Sequence, residues 1–546
     1  MIVYVYDMSR VNLLSRLKYF RKKDSNVFYW VRDYSGFYKD NIIDFPHSTE
    51  YVELRKKAQS RLNNYFDKVT SKYKIDKILS KYVQKTISPN FIDYYIYRVQ
   101  VDRIKNEKSL VIFDNLYERV LNDDHHSIYD TIAFFESFVK FMAYSFKALL
   151  TTIFFHDSRK VEDIVYIRKQ EKPDVFNFDE FDFHLSKYQK KMSKVYPLIR
   201  DRKNQYGVYY INAFQGSFFI LCRAFLLTAT LGFRDLLKLY ESRLLIHLDG
   251  VFLQHVFSMG MLVEMNAKIY FGMLADKAIY NLLYKYKKDH QKLAIYLDGV
   301  NFNGNIIILD LFYSDICLFS DQYVNEGVNK NGGSCHNIDL VGSFVTSTNA
   351  AAGDISDDLK RLVIKYKTVV MVASAQAYGD GLKYDYLGIN YLSNFLYTLK
   401  RISDKYHDIL FILKEKKGEF NNFDLDIFSN NVFIVRTKDP KKMRKNHFDH
   451  ILSISDIVVS VAPNSTVILQ AINSNKLPLI YNQYNQKTIW KQYGNIEMDL
   501  ESFEYTIDYW INNLDASANI IRRIKQDFIL DKNFYQESAK KICSIL

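Results

Sequence analysis

Five short runs of β-favouring residues punctuate the C-terminal part of this chain: TVVMVAS (368–374), DILFILK (408–414), NVFIVR (431–436), DIVVSV (456–461) and LPLIYN (477–482). Stretches with helical spacing, such as YLSNFLYTLKRISDKY (391–406), fall between most of them. Parallel strands need a crossover of a dozen or more residues, usually a helix, so this alternation predicts a parallel α/β sheet. The tail, 501–546, reads as mainly helical.

The N-terminal part repeats the alternation less regularly. IVYVYD (2–7) and NVFYWV (26–31) read as strands. SRVNLLSRLKYFRKK (9–23), with Val11, Leu14, Leu17 and Phe20 at helical spacing, sits between them. Residues 50–108 are lysine-rich and helical in pattern, SLVIFDN (109–115) reads as a strand, and 127–155 as one long aromatic helix. Further strand candidates are YGVYYINAF, RLLIHLDG, AKIYFGM, KLAIYLDG, DICLFSD and NIDLVGS, between 206 and 343. TSTNAAAGDISDD (346–358) is small, polar and glycine-containing, and reads as a linker. The expected organisation is one α/β domain over 1–345 with a helical insertion at about 50–200, the linker, and a second α/β domain over 359–546. A chain of 546 residues exceeds what one core usually holds.

The net charge of +12 favours an anionic partner, but the excess is diffuse. Runs such as KDPKKMRKNH (438–447) read as solvated faces, so nucleic acid is not expected. Cys222, Cys317, Cys335 and Cys543 form no CxxC or metal-ligand spacing and read as reduced thiols of a cytosolic protein. The N-terminus has no signal-peptide pattern. The most apolar stretch, GSFFILCRAFLLTATLGF (216–233), is interrupted by Arg223 and reads as a buried helix rather than a membrane span.

The chemistry concentrates in SVAPNSTVILQAINSNKLPLIYN (460–482). A strand ending at Val461 would deliver Pro463, Asn464, Ser465 and Thr466 to the carboxyl edge of a parallel sheet, where ligands bind. A helix starting near Ser465 would turn its unpaired first amides and positive dipole end to that edge, a setting for phosphate. The same Ser and Thr would serve as plain N-caps. Lys414, closing DILFILK, is the candidate phosphate-binding cation, or a solvated lysine of a basic loop. There is no HExxH motif and no cysteine cluster with metal spacing, so neither metal nor cofactor is expected.

ILFILKEKKGE, NVFIVRTKDPKKM and HILSISDIVVSVAPNSTVILQAINSNKLPLIYN follow one another as the donor-domain elements of GT-B glycosyltransferases do. With two α/β halves and a linker, the chain resembles bacterial surface-polysaccharide glycosyltransferases of the capsule and lipopolysaccharide type. The resemblance covers most of the C-terminal half and is weaker over 200–345. It implies an α/β, GT-B-like fold: two Rossmann-like domains facing a central cleft, with the helical insertion in the first. It implies metal-independent transfer of a sugar from a nucleotide-sugar donor to a growing surface glycan or lipid-linked glycan acceptor. The enzyme would be cytoplasmic, in peripheral contact with the inner face of the membrane. Ser374, Gln376 and Tyr378, on the first loop of the second domain, would approach the donor. A base would come from the first domain, with Asp249 the first choice and His255 and Glu264 behind it. Gln470 stands where the family usually has the Glu that binds a sugar or ribose hydroxyl, Asn475 replaces a Gly, and no His-Pro pair follows KEKKGE. Three other readings share the plan: a polyol-phosphate transferase of the teichoic-acid type, a sugar-nucleotide epimerase, and a non-catalytic GT-B-like scaffold.

Overall fold

β1 (Ile2–Asp7) and β2 (Val27–Arg32) pair in parallel with Ile2 opposite Val27, as a βαβ opening requires. The computed structural model describes residues 2–7, 27–32, 48–104, 109–112, 120–121, 128–154, 159–167, 177–196, 209–210, 214–248, 250–273, 278–297, 313–320, 322–324, 334–343, 355–374, 388–415, 423–436, 447–463, 465–483 and 488–546. The helix read at 9–23 and most of the expected linker lie outside these residues. α1 (Ser48–Tyr73) and α2 (Lys77–Ile104) fill the lysine-rich region. Asp76 caps α2 by accepting the N–H groups of Ile78 and Leu79, both at 3.0 Å. β3 (Ser109–Ile112) returns parallel to β1, giving a three-stranded sheet in the order β2-β1-β3. α3 (Ile128–Phe154) is the long aromatic helix.

A second sheet starts at β4 (Ile164–Ile167) and continues through α4 (Phe178–Ser186), β5 (Met192–Tyr196) and β6 (Tyr209–Tyr210). α5 (Ser217–Leu227) passes through a wider π turn at Thr228–Gly232 into α6 (Phe233–Glu241). After α7 (Phe252–Glu264) come β7 (Ile269–Met273), α8 (Ile279–Tyr286), β8 (Lys292–Leu297), β9 (Tyr313–Phe319) and β10 (Ser334–Leu340). The strand order is β6-β5-β4-β7-β8-β9-β10. Counted from β4, this is the 3-2-1-4-5-6 order of a doubly wound Rossmann sheet with one strand added. The pairs β4–β5, β5–β6, β4–β7 and β8–β9 are parallel.

The third sheet has the same order. It runs through α9 (Asp357–Val363), β11 (Thr368–Ala373), α10 (Gly388–Lys405), β12 (Ile409–Lys414), β13 (Val432–Val435), α11 (Phe448–Ile454), β14 (Ile457–Ser460), α12 (Thr466–Asn473), β15 (Leu477–Tyr481) and β16 (Glu497–Met498). The strands lie β13-β12-β11-β14-β15-β16, all parallel. Helices cover both faces, which is why these strands read as unbroken apolar runs. Val369, Met371 and Ala373 face a core with Leu359, Ile451 and Leu452. On Tyr481, at the end of β15, Tyr391 and Phe395 pack at 5.1 and 5.0 Å. The two Rossmann-like sheets expected of a GT-B-like α/β chain are therefore both present.

The chain divides into two compact units, one of Met1–Glu171, Met192–Leu293 and Ile307–Asp315, the other of Lys172–Lys191, Ala294–Ile306 and Ile316–Leu546. In the second unit the tail forms α13 (Phe503–Asn512), α14 (Ser517–Asp527) and α15 (Phe534–Ile545). α15 packs on α4: Tyr535 accepts the Asn177 N–H at 2.8 Å, and Asn533 donates to Glu180 at 2.9 Å. Phe534 meets Tyr296 of β8 at 4.4 Å.

Three expectations are corrected. RLLIHLDG is not a strand: Leu245–Leu248 forms a single 3-10 turn with Leu244, Leu245 and Leu248 buried. A short buried turn and a short buried strand present the same apolar run, and periodicity cannot separate them. The stretch 216–233 is helical but buried on one face only: Ile220, Leu221 and Ala224 are buried, whereas Phe219 is 70% and Leu226 62% exposed. Cys317 and Cys335 are not reduced thiols; they form a disulfide with a Cα–Cα distance of 6.2 Å. Pairing of neighbouring strands β9 and β10 brings them together, a non-local event that an 18-residue separation does not announce. Cys222 and Cys543 are free.

Candidate site at the carboxyl edge of the third sheet

The chain leaves β11 for β12 on one side and, after β13, crosses to β14 on the other. In open parallel sheets such a reversal opens a crevice beyond the strand ends, and ligands bind there. The register puts Ala373 beside both Lys414 and Ser460. Ser374 therefore stands at the mouth of the crevice, between the ends of β12 and β14. Its N–H donates to the Lys414 carbonyl at 3.1 Å, and the Val461 N–H donates to the Ala373 carbonyl at 3.2 Å. The Ser374 hydroxyl is buried, at 7% residue exposure, and makes no hydrogen bond among the described residues. A buried hydroxyl without a partner loses its hydration for nothing unless a ligand or water supplies one.

The turn from β14 into α12 is built tightly. Ser460 donates to the Ala462 carbonyl at 2.7 Å. Trp490, fully buried and stacked on Phe528 at 5.4 Å, donates its indole N–H to the Pro463 carbonyl at 2.8 Å. These bonds fix where α12 begins. Ser465 is its N-cap, with extended backbone, and its hydroxyl accepts the Val467 N–H at 3.3 Å. So Ser465 does act as a cap, which leaves its hydrogen free to donate outward. Thr466, the first helical residue, is exposed, and Gln470 lies one turn along the same face, half-buried.

Lys414 is not a freely solvated lysine. It is half-buried, and burial lowers its ammonium pKa from the ordinary lysine value. Glu415, next along, is buried, a residue the sequence reading passed over inside a charged loop. Nothing in KEKKGE distinguishes a buried carboxylate from its solvated neighbours. At the end of β15, Asn482 donates to Glu497 at 2.8 Å, and Thr488 bonds the other Glu497 oxygen.

Ser374, Lys414, Ser465, Thr466 and Gln470 thus all belong to one sheet edge and the helix that leaves it. Asn464, Gln376, Tyr378 and Asp249 lie outside the described residues. His255 and Glu264 are on α7, nine residues and about 13 Å apart along its axis. His255 Nδ1 is 2.7 Å from the Tyr82 hydroxyl, and burial lowers its pKa to about 4, so the ring is neutral at pH 7. The same burial pushes the Tyr82 hydroxyl well above its ordinary range. Glu264 closes α7 and is held by Lys288 at 3.1 Å and Arg223 at 3.9 Å. α7 leads into the amino end of β7, so Glu264 is at the edge opposite to where a parallel sheet binds ligands. Among the described residues no three His, Cys, Asp or Glu side chains converge as a metal site.

No protein-family model matches the chain. No curated protein matches it in sequence. Among solved structures it is similar to HepE of Anabaena in complex with UDP and glucose, at 11% identity and a TM-score of 0.40, over 70% of this chain and 99% of that one. It is similar to UDP-GlcNAc 2-epimerase from Neisseria meningitidis bound to UDP-GlcNAc, at 11% identity and a TM-score of 0.40, over 70% and 98%. It is also similar to the wall teichoic acid polymerase TagF, at 13% identity and a TM-score of 0.35, over 70% and 88%.

Proposed function

We propose that this chain is a metal-independent glycosyltransferase that moves a sugar from a nucleotide-sugar to a growing surface glycan of the capsule or lipopolysaccharide type. The observation that carries the proposal is the buried Ser374 hydroxyl, without a partner among the described residues, at the strand-order reversal beside the N-terminus of α12. The donor's diphosphate sits in that crevice. One phosphate oxygen accepts from Ser374, and others accept from the Ser465 and Thr466 hydroxyls and the first amides of α12. Lys414, whose charge is disfavoured by burial, is stabilised as a cation when the phosphate arrives. These donors oppose the charge that develops on the departing nucleotide, the part of sugar transfer a protein accelerates most by preorganised dipoles. Gln470 reaches a sugar or ribose hydroxyl. The acceptor is a glycan or lipid-linked glycan, and the enzyme works at the inner face of the cytoplasmic membrane.

The test is a thermal-shift screen with UDP-, GDP-, CMP-, CDP- and dTDP-linked donors, since a ligand of the folded state raises its apparent stability. At least one donor should raise the melting temperature, and the Ser374→Ala variant should need roughly tenfold to a hundredfold more of it for the same shift. Release of free nucleotide that depends on an added glycan acceptor establishes transfer. Tight donor binding with no acceptor-dependent turnover would make the chain a scaffold. No shift with any donor would remove the proposal.

A further inference from the structure

α3 wears its residues inside out. Its buried positions, spaced by four or three, are Ala133, Ser137, Phe141, Ser145, Ala148 and Thr152: small or hydroxylated side chains with one aromatic ring. The opposite positions carry large apolar groups in water, with Val139 63% and Phe146 62% exposed. α5 repeats the inversion. Ser217, Ala224 and Thr228 face inward together with Ile220 and Leu221, and Phe219 and Leu226 face outward. The two helices lie side by side over α7, where the rings of Phe141, Phe225 and Phe257 meet at 5.3 and 5.8 Å. Small residues let the backbones approach closely: a Cβ on Gly260 of α7 would stand 3.4 Å from the Ala224 Cα. Ser145 donates to the Phe141 carbonyl and Thr228 to the Ala224 carbonyl within their own helices, both at 2.7 Å, and Ser137 accepts the Leu253 N–H of α7 at 3.4 Å.

We infer that the outward face of α3 and α5 is a membrane-insertion surface that enters the hydrocarbon of an anionic bilayer side-on, without crossing it. Water selects the reverse polarity, whereas hydrocarbon rewards small residues at helix contacts and large apolar ones outside. The stretch Ser217–Glu241 is apolar and long enough to cross a membrane. Its inner side is nevertheless covered by α7, so lipid can reach only the outer one. Charge on the rim decides between lipid and a second copy of the chain. Of the four charged positions of α3, Asp130 is in the first turn, and Glu136, Lys140 and Lys147 share one flank, where Lys140 neutralises Glu136 at 2.6 Å and Lys147 is left in excess. On the second helix Arg223 and Arg234, 68% and 61% exposed at the side chain, face Glu264 and Asp235 at 3.9 and 4.0 Å. Lys288 and Lys285 hold those two acids more closely, at 3.1 and 3.5 Å, so each arginine adds a positive charge beyond its pair. A net basic rim around an apolar face repels its own copy and suits anionic headgroups, with the long cationic side chains reaching up to them. The inference rests on the membrane location in the proposed function and names the surface that makes it, while donor binding at the third sheet is tested separately.

The test uses the full chain in flotation with phosphatidylcholine vesicles, with and without phosphatidylglycerol. The chain should float with both, more with the anionic ones, and a concentrated-salt wash should not strip it. The pair Val139→Glu and Phe146→Glu should lower vesicle partition at least about tenfold with an unchanged melting temperature in vesicle-free buffer. A Phe146→Trp variant should be quenched by lipids brominated in the acyl chain. Failure to float, complete stripping by salt, or equal binding by the Glu pair overturns the inference. So does a wild-type dimer that the Glu pair converts to monomer without vesicle binding, because a second copy would then be the occupant.

Discussion

The third sheet and the α3–α5 pair are equally apolar in sequence and opposite in burial. Val370, Met371 and Val372 of β11 are enclosed between helices, whereas Phe146 and Phe219 lie open. In the sheet, apolar runs and burial agree, and the polar residues at the strand ends are the ones left to bind something. In the helices, apolar periodicity marks a face but not the medium that face meets.

A matched pair of substitutions breaks that comparison most violently. Val370→Asp puts an unpaired charge at the centre of the sheet and should cost more than about 4 kcal/mol, enough to abolish cooperative unfolding. Phe146→Glu, the same kind of change on α3, should stay within about 0.5 kcal/mol. Chemical denaturation followed by circular dichroism measures both. Comparable losses in the two variants would mean that the α3 face is covered in solution.

The next effect belongs to the helices' own interior. His255 has a folded pKa of about 4 against an ordinary 6.5. Between those values the unfolded chain takes up a proton that the folded one refuses, so stability rises with pH through the window. It is complete above pH 6.5 and lost as pH falls toward 4, by about 3 kcal/mol for this group. Denaturant titrations across that range should show the slope in wild type and a flatter profile in His255→Gln. An equal slope in both would place the pH dependence elsewhere.

The smallest effect on stability sharpens the sheet's side. Gln470→Glu, half-buried on the exposed face of α12, should leave the melting temperature nearly unchanged and alter which nucleotide-sugar binds best. A changed melting point with unchanged donor preference would make Gln470 a packing residue.

Legibility in the sequence followed burial. β11 to β15 were readable because strands covered on both faces become continuous apolar runs. The turn from β14 into α12 was readable because Pro, Asn, Ser and Thr stand between such a run and a helix. The 3-10 turn at 245–248 was not, because an apolar run as short as LIHL carries no period of its own. The Cys317–Cys335 pairing, the desolvation of Lys414 and the burial of the Ser374 hydroxyl depend on residues distant in the chain. The exposure of Phe219 and Leu226 was hidden for the opposite reason: an apolar helix reads as buried until its neighbours are known.

The central claim, a donor phosphate at the carboxyl edge of the third sheet, is tested most directly by calorimetric titration of the best nucleotide-sugar into wild type and the Ser465→Ala, Thr466→Ala double variant, with both melting curves recorded. Losing the cap should cost about 1 kcal/mol of stability. Losing hydrogen bonds to a charged phosphate should cost about 1.5–3 kcal/mol each, or roughly tenfold to a hundredfold in affinity per bond. The account predicts a variant that melts almost normally and binds the donor at least tenfold more weakly. A lowered melting temperature with unchanged donor affinity would contradict it, leaving Ser465 as a cap and nothing more.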